Sequence, residues 1–483
     1  MRLAELLVGI EKKQIIGSDR LNVTGIAYNS REVKPGNVFV CIKGFQTDGH
    51  KYAEDAIERG AAAIIAEHDM SRFGVTCVIC ENTRYALASI SAEFYNHPEK
   101  RFKLIGVTGT NGKTTTTYLI KSVLESLGKR VGLVGTNQNM IGAEVIPSQR
   151  TTPESLELMQ LFDKMAEKGA EYVVIEVSSH SLVLDRVTAC RFDVGAFTNI
   201  TQDHLDFHET MEKYLEAKGI LYHISKAGAV NRDDKGSDYL LNTSRCESMI
   251  TYGIEADCDM KASNVKLSEK EVRFNVSYNN KEYDVELGIP GKFSVYNALT
   301  ALSSLVSVGI SMEEAVNGLK SACGVKGRIE VVETGKDFSV IIDYAHTPDG
   351  LYNVITTIRG FCKGRIITVF GCGGDRDATK RPKMGKIAAT LSDYCVVTSD
   401  NPRSEDPNKI IEQILDGVKD CDCEYTAIVN RFEAIEFALD YAKPNDIVLL
   451  AGKGHETYQV LADRTINFDE REIVKKLLDI QAD

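Results

Sequence analysis

The chain has 483 residues, 43% of them hydrophobic, which is enough for several packed cores and two to four domains. A net charge of −12, with no Lys/Arg block to offset it, argues against a nucleic-acid-binding surface. No apolar run approaches membrane-spanning length, and Glu5, Glu11, Lys12 and Lys13 break up the first twenty residues, so a soluble cytoplasmic protein without a signal peptide is expected.

Residues 1–100 read as a small α/β unit with strands at 38–42, 61–66 and 75–80, an amphipathic stretch at 52–59 and a helix over 83–95. Residues 96–100 read as a linker. Cys77 and Cys80 have metal-pair spacing, yet no second pair follows and the alternation around them favours core packing. The twelve scattered cysteines imply reduced thiols in a reducing cytoplasm. The Asn29-Ser30-Arg31 turn and the 43–50 loop place polar groups at strand ends; from the residues alone either is an ordinary turn.

The second unit, residues 101–327, opens on an apolar strand that runs through Gly109-Thr110-Asn111-Gly112-Lys113-Thr114-Thr115 into a helix. Glycines let successive N–H groups curl toward an anion, and the helix start adds its positive end, so this is a phosphate cradle for an ATP-type nucleotide. Lys113 would reach the β/γ-phosphates and the Thr114 hydroxyl would face Mg²⁺. The match departs from the standard pattern at Val107, where a glycine is usual. Strands at 130–133, 172–177 and 194–198 alternate with helices and predict a parallel sheet with sites at its carboxyl edge. Past those edges stand Glu176, then Ser178-Ser179-His180, and Asn199, Asp203, His204 and Asp206. Hard Mg²⁺ keeps several waters and takes few protein ligands, which makes Glu176 and His204 its best-placed candidates. Lys218, on the next helix, reads by itself as a solvated side chain. Residues 257–287 turn to antiparallel hairpins with a turn at Asn279-Asn280, and Ser311 and Glu314 have capping-box spacing.

The third unit, 328–483, carries strands at 339–343, 365–370, 394–398, 425–429 and 446–450, a second open α/β sheet. Polar clusters follow four of them: Asp343 to His346, Gly371 to Asp377, Ser399 to Arg403, and Gly452 to Glu456. Four polar ends on one sheet edge predict a binding face.

Taken in order, Gly109 to Thr115, Glu176-Val-Ser-Ser-His180, Asn199 with Asp203-His204-Leu205-Asp206, Asp343-Tyr-Ala-His346 and Asp400-Asn-Pro-Arg403 resemble the signature series of the Mur ligases across nearly the whole chain. The resemblance implies a small N-terminal α/β domain (1–100) for UDP, and a central P-loop ATPase-like parallel sheet with added antiparallel strands (101–327) for ATP. It implies a C-terminal Rossmann-like open sheet (328–483) for the incoming amino acid. The implied reaction is ATP-dependent amide-bond formation through an acyl phosphate, adding meso-diaminopimelate to UDP-N-acetylmuramoyl-L-alanyl-D-glutamate in peptidoglycan precursor synthesis.

Carried over by position, the resemblance gives ATP to Gly109, Thr110, Asn111, Gly112, Lys113, Thr114, Thr115, Asn297 and Arg328. It gives the UDP-muramoyl-dipeptide to Ser30, the 45–47 loop, Thr151, Thr152, Ser178 and Arg186. Diaminopimelate falls to Arg376, Asp400, Asn401, Pro402, Arg403, Gly452 and Glu456. Lys113, Glu176, His204 and Lys218 would be catalytic; Thr114, Glu176, His204 and Lys218 would face Mg²⁺, Lys218 as a CO₂-derived carbamate. Leu184 stands where some relatives carry a polar glutamine. Arg403 would fork onto the far carboxylate of diaminopimelate, which L-lysine lacks. The partners implied are small molecules only, acting on a monomer. The alternatives are the L-lysine-adding relative, a folylpolyglutamate-type synthase and a non-catalytic nucleotide switch.

Overall fold

The computed structural model describes the chain except residues 12, 45–46, 149, 269–270, 323 and 480–483. The described residues build sheets of five, eleven and six strands and a two-stranded ribbon.

In the first sheet the order is Lys13–Ile16, Thr76–Cys80, Ala63–Ala66, Asn37–Val40, Gly25–Ala27, parallel except for the antiparallel first strand. Asn37–Val40 and Ala63–Ala66 are buried at every position, because both sheet faces are covered, and so they read as continuous apolar runs. The two flanking strands are three or four residues long and half-buried, too short to show in the sequence pattern. Helix Thr83–Phe94 starts on Asn82, whose side chain accepts from the Arg84 and Tyr85 N–H groups at 2.9 and 3.0 Å. Cys41, Cys77 and Cys80 are free and buried in this unit, as packing residues. Asn96 and His97 turn the chain out of it with φ of 55° and 50°.

The eleven-stranded sheet has Lys103–Thr108 near its middle, flanked in parallel by Tyr172–Glu176 and Phe192–Phe197. The carboxyl ends of these three neighbours deliver the phosphate loop, Glu176 and Thr198-Asn199 to one place. Ser225–Asn231 and Ser248–Gly253 extend the parallel run. The first of these, Ser-Lys-Ala-Gly-Ala-Val-Asn, carries too few β-branched residues to signal a strand. Met260–Leu267, Val272–Tyr278 and Lys281–Leu287 add the antiparallel edge. Their turn places Asn279 and Asn280 at φ 49° and 59°, the mirror-image turn that hairpin twist favours. Helices Lys113–Ser126 and Lys292–Ser307 pack together on one face in a shared apolar core. The capping box forms as expected, with Ser311 Oγ accepting from Glu314 N and Glu314 Oε2 accepting from Ser311 N.

The six-stranded sheet runs Glu330–Val332, Ser339–Asp343, Ile447–Ala451, Ile366–Phe370, Tyr394–Thr398, Glu424–Ile428, with only the first strand antiparallel. All five strands expected from the sequence are present. The four polar clusters follow four adjacent strands, so they form one continuous edge. Behind it, Arg431 and Glu470 make a fully buried ion pair at 2.8 Å, and Arg431 also donates to Ala451 O at 2.9 Å. Among the described residues no helix is long and apolar enough to cross a membrane.

Candidate active site

The phosphate loop is held by the strand beside it. Asn199 Oδ1 accepts from Asn111 N at 2.9 Å, Asn199 O accepts from Thr110 N at 2.9 Å, and Thr198 Oγ1 donates to Asn111 O at 2.6 Å. Gly112 starts the helix with φ 85°, and a Cβ there would collide with Asn297 Oδ1. That close approach brings Asn297 to the loop. Val107, the departure from the usual pattern, is buried inside the strand opposite Glu176 and Ala196; the loop begins two residues later at Gly109. Lys113 Nζ donates to Gly109 O and Thr110 O, both at 2.8 Å. Burial lowers its pKa, while Glu176 and Asp203 oppose that shift.

Glu176 is buried at the end of its strand and fully engaged. Its carboxylate accepts from Thr114 Oγ1 at 3.0 Å, Thr136 N at 2.9 Å and Thr136 Oγ1 at 2.8 Å. Thr136 Oγ1 also bonds Thr151 Oγ1 at 3.1 Å, and Thr152 Oγ1 donates to Glu176 O at 2.7 Å and lies 3.3 Å from Ser178 Oγ. Thr136 therefore ties the Thr151-Thr152 pair to Glu176, a role that no local pattern signalled. Arg328 Nη2 donates to Thr114 Oγ1 at 3.3 Å, bringing the start of the third unit onto the loop.

Lys218 is 1% exposed, unlike a solvated helix lysine. Its Nζ lies 4.3 Å from the Tyr214 ring centroid and makes no hydrogen bond or ion pair with the described residues. Burial and then the nearby Lys113 charge push its pKa well below the lysine range. His204 has φ 54° and lies 3.3 Å from Asp203 through Nε2; its ring meets His180 edge-on at 4.8 Å. Among the described residues no three or more His, Cys, Asp or Glu side chains cluster as metal ligands.

Arg186 pairs with Glu154 at 2.8 Å and donates to Thr152 O at 3.2 Å, and Glu154 also takes Arg84 and Arg150. On the third sheet, Asn401 Nδ2 and Lys453 Nζ donate to Glu456 Oε2 at 2.9 and 3.0 Å, and Lys453 also reaches Asn401 Oδ1 at 3.2 Å. Lys453, fully buried, is a member of this cluster that the sequence reading did not single out. Gly452 has φ 117°, and a Cβ there would press on Asp400 Oδ2. Arg403 has φ 52° and donates through Nη1 to Gly374 O at 2.8 Å.

Two cavities collect these groups. One of about 330 Å³ lies against Asn111, Gly112, Thr115, Asn297, Arg328 and Asp349. Asp349 bridges the second and third units, accepting from Asn111 Nδ2 at 2.6 Å and Thr201 Oγ1 at 3.3 Å. The other, about 500 Å³, brings Thr151, Thr152, Ser178 and Arg186 together with Arg376, Asp400, Asn401, Arg403, Gly452 and Glu456. Leu184 lines it too. Pro402 lines neither cavity, and Ser30 sits buried at a turn in the first unit, away from both. Of the 45–47 loop, residues 45 and 46 lie outside the described residues.

Family models agree with this architecture. The Mur ligase middle domain matches residues 107–305, the Mur ligase glutamate ligase domain 327–454, and the Mur ligase family catalytic domain 22–95. The chain belongs to the Mur ligase family and is an ATP-dependent, amide-bond-forming ligase. Among curated relatives, the UDP-N-acetylmuramoyl-L-alanyl-D-glutamate–2,6-diaminopimelate ligase of Caldanaerobacter subterraneus subsp. tengcongensis is 50% identical over 480 residues, 99% of each chain. Ligase 1 of the same description from Clostridium acetobutylicum is 47% identical over 481 residues, again 99% of each. A solved structure of a ligase of that description aligns with a TM-score of 0.70 at 30% identity over 99% of both chains. Mycobacterium tuberculosis folylpolyglutamate synthase, at 17% identity and TM-score 0.65, covers 76% of this chain and shares the fold.

Proposed function

We propose that this ligase joins meso-2,6-diaminopimelate to the D-glutamate side-chain carboxylate of UDP-N-acetylmuramoyl-L-alanyl-D-glutamate, through an acyl phosphate made with ATP. The observation that carries this reading is the 500 Å³ cavity, lined by the Thr151–Arg186 group and the Arg376–Arg403–Glu456 group together. The names of relatives 44–50% identical over 99% of this chain support it.

A carboxylate is a poor electrophile, so phosphorylation must precede amide formation. The loop from Gly109 to Thr115 would wrap the phosphates, Lys113 would leave its carbonyl partners for the transferring phosphoryl group, and Asn297 and Arg328 would hold the rest of the nucleotide. Thr151, Thr152, Ser178 and Arg186 would orient the dipeptide, with Ser30 and the first domain (1–100) at the UDP end. The central domain (101–327) then holds ATP and the C-terminal domain (328–483) the amino acid. Arg376, Asp400, Asn401, Pro402, Arg403 and Gly452 would form the amino-acid pocket, where Arg403 meets the far carboxylate and Glu456 the far ammonium. L-lysine would leave the Arg403 fork unmatched.

Mg²⁺ suits the oxygen donors Thr114 and Glu176, which lie 3.0 Å apart, with His204 at the next strand end. Bound there it would neutralise phosphate charge. An amine adds CO₂ in its neutral form, which burial favours at Lys218; as a carbamate it would offer anionic oxygens instead of a cation. ¹³C NMR of the folded protein with ¹³C-bicarbonate tests this, absence of a carbamate signal that Lys218→Ala removes counting against it. The reaction would run in the cytoplasm on a monomer, with small-molecule substrates.

The decisive assay is phosphate release from ATP with the UDP-dipeptide, comparing meso-diaminopimelate with L-lysine. Release that depends on diaminopimelate is expected. Release with L-lysine alone would move the chain to the lysine-adding type, and release with neither would overturn the reading.

A further inference from the structure

The two cavities have only two lining side chains in common, Tyr344 and His346. The group that must remove a proton from the incoming amine works where the nucleotide space meets the amino-acid space, so these two residues stand at the right wall.

His346 has the form of a base. Its Nδ1 lies 2.8 Å from Tyr344 O, and a carbonyl can only accept, so Nδ1 carries the hydrogen and Nε2 keeps its lone pair. Nε2 takes no hydrogen bond from the described residues. Burial, followed by the Lys380 charge, pushes the imidazole pKa down to about 4, so the ring is neutral at physiological pH. The charged and titratable groups facing it are Lys380, Asp203, Arg328, Tyr344 and His455. Tyr344 is unsuited, since burial moves its phenol far above its usual range. His180 and His204 line only the larger cavity, and Glu456 is already bound to Asn401 and Lys453.

We infer that His346 is a further catalytic residue, whose Nε2 takes the proton that the incoming ammonium must lose before its nitrogen can attack the acyl phosphate. The inference rests on the ligase reading above. The nitrogen enters with three hydrogens and ends as an amide with one. A C–N bond forms, the C–O bond to phosphate breaks, and phosphate leaves with the bonding pair. One proton goes to Nε2 and on to solvent; the other ends on the departing phosphate as hydrogen phosphate.

The test uses the full-length ligase with His346→Asn, whose amide can still donate to Tyr344 O, and His346→Gln. Hydroxylamine is largely neutral at neutral pH and needs no base, so it reports acyl-phosphate formation independently of proton removal. Amide formation with diaminopimelate should fall about 10²–10⁴-fold, while hydroxamate formation stays within about threefold of the parent at matched melting temperature. Amide formation at the parental rate would overturn the inference. So would parallel loss of hydroxamate and amide in folded variants, which would make His346 a nucleotide or substrate contact. If the parent itself makes neither product, the ligase reading fails, and the two failures stay distinguishable.

Discussion

The central and C-terminal sheets face each other across the same gap with their carboxyl edges, yet they are finished differently. At the central edge the polar groups satisfy one another: Glu176 takes three hydrogen bonds, and Asn199 clasps the loop from both sides. At the C-terminal edge much of the charge is left for a visitor, since among the described residues Arg376 and Arg403 bond only backbone carbonyls through their guanidinium groups. A closed network suits chemistry that is the same in every turnover, and an open one suits recognition of a particular amino acid.

This contrast predicts how substitutions separate. Lys113→Ala should cost about 10³-fold or more in kcat by removing a charge aimed at the phosphoryl group, with the melting temperature unchanged; a KM-only effect would place Lys113 in ground-state binding. Glu470→Ala leaves Arg431 buried and unpaired behind the C-terminal edge, and should cost about 3–5 kcal/mol in a urea titration. Its KM for ATP should stay at the parental value, which checks that this pair is scaffold. Arg403→Ala should raise KM for diaminopimelate about 10–100-fold, as loss of one charge-assisted fork of about 1.5–3 kcal/mol implies, and leave KM for ATP alone. A shift in both would erase the division between the two edges.

The last lever is acidity, which acts on stability. His346 and His455 are held neutral by burial, with pKa values lowered from 6.5 to about 4 and about 3. The unfolded chain takes up those protons first, so as pH falls from about 6.5 toward 4 the folded state loses stability. Replacing both histidines by glutamine should flatten that slope in urea midpoints measured across the interval; an unchanged slope would assign the acid sensitivity elsewhere.

How much of this was legible in the sequence follows from the range of the signal. The C-terminal strands and the phosphate loop are local patterns, and they stand where the pattern put them. Gly25–Ala27 and Glu330–Val332 are three-residue edges with no room for a period. Thr136 and Asp349 are invisible for another reason. Each matters through a partner far along the chain, as Asn111 and Asp349 are 238 residues apart, and nothing local announces such a meeting. Lys218 shows the converse: its helix pattern reads as solvated, and only the packed fold reveals a buried amine.

The three units are also joined unequally. Arg84 reaches Glu154, Tyr28 donates to Glu157 at 2.6 Å and Asn82 to Asp185 at 2.8 Å, so the first unit is bolted to the second by side chains from several elements. The passage from the second to the third runs through Gly327 at φ 73° and Ile329 at φ 42°, the latter a strained conformation for a β-branched residue, pinned by a 2.7 Å bond from Ile329 N to Asp343. The second and third units are also held side chain to side chain, Asn111 Nδ2 donating to Asp349 at 2.6 Å and Lys383 Nζ to Gln202 Oε1 at 2.9 Å. A rigid compound that fits both cavities would bridge the two units much as these bonds do, tying the third unit to the second beyond the Gly327–Ile329 turn.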